Sequence, residues 1–180
     1  MTFTDAQRAA LVAIARAAVQ RAAEGVRSRA PVPHGEFPDA SGVFVTLTRA
    51  GRLRGCIGTL ECRRPLADEV ARAAVSAALE DPRFPPLGAS ELNGLEVEVS
   101  VLGPLEPIDP HDPAAIEIGR HGLVVEEGRR RGLLLPQVAP EWGWDRDQFL
   151  AQTCVKAGLS PDAWRHGATV YRFAAEVFGE

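Results

Sequence analysis

One stretch of the sequence places a cysteine where it could act as a nucleophile. The segment Leu53–Leu60 reads LRGCIGTL, with Cys56 two residues after Arg54. In an extended strand side chains alternate between faces, which puts Arg54, Cys56 and Gly58 on one side. A nearby positive charge favours the thiolate, the nucleophilic form of cysteine. The alternative is that Cys56 is a small buried apolar residue of a core strand, as free cysteines often are.

The glycines on either side of the thiol are a second signal. Gly55 and Gly58 stand inside an otherwise apolar, strand-like run. Glycine weakens a strand interior and usually marks a bulge or a place where a ligand or another backbone comes close. We therefore expect one of these features next to Cys56.

A stiff loop carries further candidates. Three prolines fall within positions 82–86, in a segment that also holds Asp81, Arg83 and Phe84. Each proline fixes its own backbone angle, so the loop is rigid. It is either the wall of a pocket or a rigid connector.

Two charged clusters also have two interpretations each. Glu96 and Glu98 alternate with apolar residues along Leu95–Val101, so they form either a solvated sheet face or the acidic side of a cleft. Three arginines within Gly128–Gly132 either bind an anion or are solvated at the tip of a hairpin.

Three helices are predicted to position these residues. Capping boxes at Thr4–Gln7 and Asp145–Gln148 start two of them, and Gly158 ends the second. Pro65 suits the first turn of the remaining helix, whose apolar stripe runs from Leu66 to Ala78.

Strands account for most of the remaining pattern. Ala50-Gly51 predicts a tight turn that joins Val43–Thr48 to Leu53–Leu60 as a hairpin. Four prolines between positions 104 and 113 predict a loop and a short helical turn. Further strands are predicted at Leu95–Val101, Leu123–Glu126, Leu133–Leu135 and Thr169–Phe178. The irregular alternation predicts an α+β fold with a mainly antiparallel or mixed sheet flanked by helices.

Composition limits the class of protein. The 180 residues fit one domain over 1–180, with room for a smaller lobe formed by inserted segments. A net charge of -4 argues against nucleic-acid binding. The sequence shows neither a bilayer-spanning apolar run nor a signal sequence. Three cysteines without CxxC spacing predict no disulfide framework and a cytoplasmic location.

Motifs for common cofactors are missing from the sequence. It contains no phosphate loop, dinucleotide fingerprint or Gly-x-Ser-x-Gly elbow. His111 and His121 could join nearby acids in a metal site, but they lack the close spacing of a dedicated ligand set. We therefore predict no metal site, and the cofactor stays unassigned.

Several motifs, taken in order, resemble the AMMECR domain family, named after the Alport syndrome, mental retardation, midface hypoplasia and elliptocytosis chromosomal region. The resemblance covers about Thr4 to Glu180. The motifs are FVTL at Phe44–Leu47, LRGCIGTL at Leu53–Leu60, DPRFPPL at Asp81–Leu87, EVSVLGPLEPI at Glu98–Ile108, IGRHGL at Ile118–Leu123, GLLLPQVAPEWGWD at Gly132–Asp145 and TCVKAGL at Thr153–Leu159.

This resemblance implies a two-lobed α+β fold with a cleft toward which the LRGCIG segment is turned. It also implies that the gene occurs together with genes for two other proteins. One is a Memo-like protein, similar to non-haem-iron dioxygenases, and the other is a radical SAM protein. Among bacterial proteins the resemblance is to those of the AmmeMemoRadiSam system. The molecular activity of the family is not settled, and a fold alone does not fix a reaction.

Two hypotheses follow from the residues and the resemblance together. In the first, the protein is an enzyme or a modification-pathway component with Cys56 as nucleophile, His121 as general base and Glu98 orienting groups or exchanging protons. The residues expected to bind substrate are Arg54, Gly55, Gly58, Arg83, Phe84, Gln137 and Trp144, with Arg54 also favouring the thiolate and Gln137 donating to an oxyanion.

In the second hypothesis the same cleft binds a partner protein or small ligand without catalysis. Phe84, Trp142 and Trp144 would supply the apolar anchors that partner recognition favours. A role in RNA binding is disfavoured by the acidic balance of the chain.

Overall fold

The computed structural model describes residues 2–26 and 37–180. Within these residues the chain forms four α-helices, two short 3-10 turns and seven strands, which confirms the α+β prediction. It divides into two compact units, Met1–Leu102 with Glu176–Glu180, and Gly103–Ala175. The loop expected around residues 31–35, with His34, lies outside the described residues.

The first unit packs two helices on a small sheet. Its elements are α1 (Asp5–Ala23), β1 (Gly42–Arg49), β2 (Arg52–Thr59), α2 (Leu66–Leu79), β3 (Leu95–Leu102) and the end of β7 (Thr169–Gly179). The capping box at Thr4 is confirmed, because its hydroxyl accepts the Gln7 amide while the Gln7 side chain accepts the Thr4 amide. Pro65 stands at the N-cap of α2, one position before the predicted first turn.

The sheet of this unit has one apolar face and one mixed face. Its strand order is β2-β1-β3, and β1 is antiparallel to both neighbours. Val43, Val45 and Leu47 are fully buried in the core that includes α1 and α2, whereas the alternate residues Phe44 and Thr46 are half-buried on the other face. Burying one apolar face fixes the register, because a slip by one residue would exchange the two faces.

The second unit has its own apolar core. Its elements are β4 (Glu106–Ile108), β5 (His121–Glu127), β6 (Arg130–Leu134), α3 (Val138–Trp142), α4 (Arg146–Lys156) and the first part of β7. Antiparallel pairing joins β4 to β7, β7 to β5 and β5 to β6. The capping box at Asp145 and the stop at Gly158, whose φ is +73°, are confirmed.

Two predictions in the second unit were wrong in detail. Residues 106–108 form the short strand β4 rather than a loop, since Pro107 can occupy an edge strand that needs no amide donor. Arg130 and Arg131 belong to β6 rather than to the hairpin tip, and Arg130 Nη1 donates to the Gly158 carbonyl at 3.0 Å. Helix α3 was not predicted. None of the helices in the described residues is long and apolar enough to cross a membrane.

Candidate functional site

A bulge in β2 determines what surrounds Cys56. The register with β1 passes from the pair Leu53–Thr48 to the pair Gly55–Leu47, so Arg54 is an extra residue. Cys56 consequently lies directly opposite Thr46. The predicted shared face of Arg54, Cys56 and Gly58 is therefore corrected, since the bulge takes Arg54 out of the alternation.

The main chain of Cys56 points outward from the edge of the sheet. Its N–H donates to Asp81 Oδ2 at 2.9 Å, and its carbonyl accepts from Arg83 Nη2 at 3.4 Å. Because both groups point away from β1, Cys56 and Thr46 form a non-hydrogen-bonded pair, the kind in which opposite side chains come closest. The Thr46 hydroxyl accordingly donates to Cys56 Sγ at 3.3 Å.

Asp81 is the buried charge that organises this edge. Only 4% of the residue is exposed, and its carboxylate accepts Arg83 Nε at 2.9 Å and Arg83 Nη2 at 2.7 Å. It also accepts the amides of Cys56 and Arg83. The hydrogen bonds from the Arg83 side chain, followed by those from the two amides, hold the pKa of Asp81 well below its usual range despite burial. The edge of β2 is thus covered by an ion pair instead of another strand.

A second ion pair occupies Arg54. Its Nε and Nη2 donate to the two carboxylate oxygens of Glu91 at 2.8 and 2.9 Å, and Nη2 also donates to the Pro85 carbonyl. The bidentate bond from Arg54 and the Gly88 amide lower the pKa of Glu91 to about 2. The Phe84 ring lies 5.8 Å from the Arg54 guanidinium and 5.5 Å from that of Arg83. The guanidinium in contact with Cys56 is therefore that of Arg83, and the thiolate role of Arg54 stays a prediction.

Glu98 shares a cross-strand row with the thiol. Thr46 pairs with Cys56 on one side and with Glu98 on the other, so the three side chains lie on one face of the sheet. Ser100, two residues further along β3, is 1% exposed, and its hydroxyl has no hydrogen-bond partner among the described residues. The row places the Thr46 hydroxyl between the Cys56 thiol and the Glu98 carboxylate, on three neighbouring strands.

The two glycines are explained by packing inside the unit. A Cβ on Gly55 would come within 2.2 Å of the Ala77 carbonyl oxygen on α2. A Cβ on Gly58 would meet the Val43 carbonyl oxygen at 2.1 Å and the Phe44 ring at 2.5 Å. Of the expected features, a bulge and a close backbone are both present. The predicted substrate-binding role of the glycines stays a prediction.

Three of the predicted site residues belong to the second unit. His121 Nδ1 accepts the Glu117 amide at 3.0 Å, so the neutral imidazole carries its proton on Nε2. Burial, with the charges of Arg172 and Arg120, lowers the pKa of His121. The occupied Nδ1 weighs against the predicted role of His121 as a general base. Gln137 is half-buried at the N-cap of α3.

Trp144 belongs to an exposed aromatic pair. The rings of Trp142 and Trp144 are stacked, with centroids 5.9 Å apart and planes 17° from parallel. Trp142 is 70% exposed, and Trp144 is half-buried. The pair therefore presents a flat apolar surface to solvent.

The other two thiols have different surroundings. Burial, followed by the charge of Glu69, raises the pKa of Cys62 to about 11. Cys154 is fully buried, and burial raises its pKa. In the part of the chain that the structure describes, no three His, Cys, Asp or Glu side chains are grouped so that they could hold a metal ion.

Sequence reasoning missed three residues of the site. Asp81 was named only as part of the stiff loop, and Thr46 and Glu91 were not singled out. The Asp-x-Arg spacing at Asp81 and Arg83 was an available signal, because a rigid loop keeps such an ion pair local. Nothing in the sequence pointed to Thr46, because its pairing with Cys56 depends on the bulge.

The architecture is that of an α+β protein with a thiol on the edge strand of an antiparallel sheet. A sequence model of the AMMECR1 family matches residues 12–178. The chain belongs to the AMMECR1 family, as the motifs predicted.

Relatives support this assignment over nearly the whole chain. A protein of Methanothermobacter thermautotrophicus is 51% identical over 178 residues, covering 94% of this chain and 92% of its own. One from Thermococcus gammatolerans is 50% identical, covering 94% and 88% respectively. The crystal structure of an uncharacterized protein from Pyrococcus horikoshii matches with a TM-score of 0.85 and 46% identity, over 94% of this chain and 89% of that one. That structure has the same fold.

Proposed function

We propose that the protein is a thiol-dependent enzyme, or a component of a modification pathway, in which Cys56 is the nucleophile. The observation that carries the proposal is the hydrogen bond from the Thr46 hydroxyl to Cys56 Sγ. A hydrogen bond donated to sulfur stabilises the thiolate relative to the thiol. The Arg83 guanidinium at the Cys56 carbonyl balances the Asp81 carboxylate that accepts the Cys56 amide, so no uncompensated negative charge opposes the thiolate at this edge.

The chemistry that suits this arrangement is attack of the thiolate on an electrophilic carbon. A bond forms between sulfur and that carbon, and the bond to the leaving group breaks with its electron pair. The thiol gives its proton to water as the thiolate forms, and the leaving group takes a proton from water as it departs, so charge and atoms balance. Glu98 lies two strands from Cys56, about 10 Å away by the spacing of neighbouring strands, and would orient a substrate group or exchange protons with it. Arg83 and the Phe84 ring border the thiol edge and supply the binding contacts.

His121 and Gln137 belong to the second unit, and their predicted roles stay predictions from the sequence. The His121 Nε2–H and the Gln137 side-chain amide are hydrogen-bond donors, which suits the binding of a carbonyl or anionic oxygen. The use of His121 as a general base remains a prediction from sequence.

Site-resolved alkylation tests the nucleophile. The full-length protein is treated with limiting iodoacetamide from about pH 6 to pH 9, and adducts on each cysteine are quantified by mass spectrometry. We expect Cys56 to react at least about tenfold faster than Cys62 near pH 7.5, because a thiol with a raised pKa has little thiolate there.

Cys62 and Cys154 are internal controls in the same sample, since all three thiols are free, and Cys154, which is fully buried, should stay unmodified in the folded protein. Arg83→Gln leaves the Asp81 carboxylate without its ion-pair partner beside the thiol, and it should slow the alkylation of Cys56 but not that of Cys62. Equal rates at Cys56 and Cys62, or a Cys56 rate unchanged by Arg83→Gln, would contradict the proposal.

A second candidate function is partner binding by the aromatic pair, favoured by the 70% exposure of Trp142. We propose the Memo-like and radical SAM proteins, in a reducing cytoplasm, as the partners to test. Trp142→Ala should abolish co-purification with a Memo-like protein, whereas Val155→Ala, at a residue 49% exposed in the same unit, should not. A complex that survives Trp142→Ala would exclude this surface.

A further inference from the structure

A pocket of about 300 Å³ lies in the first unit, between the end of β2 and helix α2. Its strand side is formed by the last residues of β2, including Ile57 and Gly58. Its helix side is formed by residues three and four apart on α2, namely Glu69, Arg72, Ala73 and Ser76. The volume suits a small organic molecule.

The charges around this pocket are unbalanced. Among the described residues that line the pocket there are three arginines, Arg63, Arg64 and Arg72, and two acids, Glu61 and Glu69, so these residues carry a net charge of +1. Arg63 is committed, because its Nη2 lies 2.8 Å from Glu61 Oε2. Excess positive charge in a concave site attracts anions.

The other two arginines keep their donors available. Arg64 Nη1 and Arg72 Nε lie 3.6 and 3.8 Å from the Glu69 carboxylate, which are ion-pair distances beyond that of a hydrogen bond. Neither guanidinium group donates a hydrogen bond to another residue within 2–26 or 37–180. The N–H donors of both guanidinium groups are thus available to a ligand in the pocket.

Glu69 explains why two cations converge here. It is 6% exposed, and its Oε1 accepts the Arg63 amide at 3.2 Å in the first turn of α2. The buried carboxylate attracts both guanidinium groups without satisfying either of them. A ligand at this position must out-compete a fixed negative charge, which favours a dianion over a monoanion.

We propose that this pocket binds a small organic phosphate, with the phosphate between Arg64 and Arg72. Guanidinium groups match phosphate oxygens in bidentate geometry. The short carbon skeleton of the ligand would pack on Ile57 and Ala73. The proposal does not depend on catalysis by Cys56.

Calorimetric titration of the full-length protein with glycerol phosphate tests the site, with glycerol and malonate as the neutral and carboxylate probes. We expect glycerol phosphate to bind, and the double variant Arg64→Gln/Arg72→Gln to bind at least about tenfold more weakly, as loss of charged hydrogen bonds requires. Arg52→Gln, an exposed arginine of β2 outside the pocket, is the matched control and should bind like the wild type.

Glu69→Gln separates a ligand site from a purely structural cluster. Glutamine still accepts the Arg63 amide but removes the competing charge, so phosphate should bind several-fold more tightly. Cys56→Ser should bind like the wild type, which distinguishes this proposal from the one for the thiol. No binding by the folded wild type, unchanged affinity in the double arginine variant, or tighter binding of malonate would overturn the proposal.

Discussion

Cys56 and Cys154 present the same side chain in two contrasting regions. Cys154 lies on α4 in an apolar cluster with Phe149 and Leu150, where all three residues are fully buried. Cys56 lies on an edge strand, half-buried, with a hydroxyl donor at its sulfur. Burial raises the pKa of Cys154, which keeps that thiol protonated and inert.

The two cysteines also differ in how the hydrogen bonds of their main chains are satisfied. The helical backbone around Cys154 satisfies its own hydrogen bonds, so no polar side chain is required nearby. An edge strand leaves N–H and C=O groups that must find partners. At Cys56 those partners are the Asp81 carboxylate and the Arg83 guanidinium, so charge gathers beside the thiol.

The largest expected effect comes from removing the charge that supports Cys56. Asp81→Asn should lower the free energy of unfolding by about 2–3 kcal/mol, less than for a fully buried pair because Arg83 is half exposed. Urea denaturation measures the change. Asp39→Asn, at an exposed position of the same unit, should stay within about 0.5 kcal/mol. Equal effects of the two substitutions would show that the Asp81 charge does not stabilise the fold.

Acid should weaken the Cys56 region through its two paired carboxylates. The folded-state pKa values of Asp81 and Glu91 are both lowered, so their contribution is complete above the ordinary carboxyl pKa and is lost as pH falls. For Glu91 the loss runs from about pH 4.5 to about pH 2. Glu91→Gln should flatten the dependence of unfolding free energy on pH in that window. A slope equal to that of the wild type would contradict the prediction.

Serine at the two cysteine positions should have unequal effects. Cys154→Ser buries a hydroxyl in an apolar cluster and should destabilise the protein by about 1–3 kcal/mol. Cys56→Ser keeps the polar neighbour Thr46 and should change stability by less than about 1 kcal/mol. Thermal or urea unfolding of both variants measures the contrast. A larger loss at Cys56 would indicate that its thiol serves packing.

The smallest expected effect tests the hydroxyl itself. Thr46→Val keeps the shape of the side chain but removes the hydrogen-bond donor to Cys56 Sγ. It should slow the alkylation of Cys56 several-fold, which corresponds to a loss of about 1 kcal/mol in stabilisation of the thiolate. The alkylation rate of Cys62 should not change. An unaltered rate at Cys56 would mean that the hydrogen bond does not stabilise the thiolate.

Much of the fold was predictable from the sequence because its signals are local. The capping boxes at Thr4 and Asp145 need only residues three positions apart, and each begins a helix as predicted. The hairpin of β1 and β2 follows from Ala50-Gly51, both of which have positive φ. Helix α3, only five residues long, carries too little periodicity to be recognised.

The surroundings of Cys56 could not be predicted, because they depend on register. If β1 and β2 paired without a bulge, the register that begins at the pair Arg49–Arg52 would place Gly55 opposite Thr46. The bulge at Arg54 shifts the count by one and brings Cys56 there instead. The partner of Arg54 is Glu91, 37 positions away, and no local pattern specifies that pairing.

The contact of Gly55 with α2 has a mechanical consequence. With no side chain between them, the strand backbone rests directly on the Ala77 carbonyl. A side chain between two packed elements can absorb a small shift by changing its rotamer, but Gly55 has no side chain to do so. We therefore expect a shift of α2 at Ala77 to displace the backbone of Gly55, and with it the adjoining thiol of Cys56.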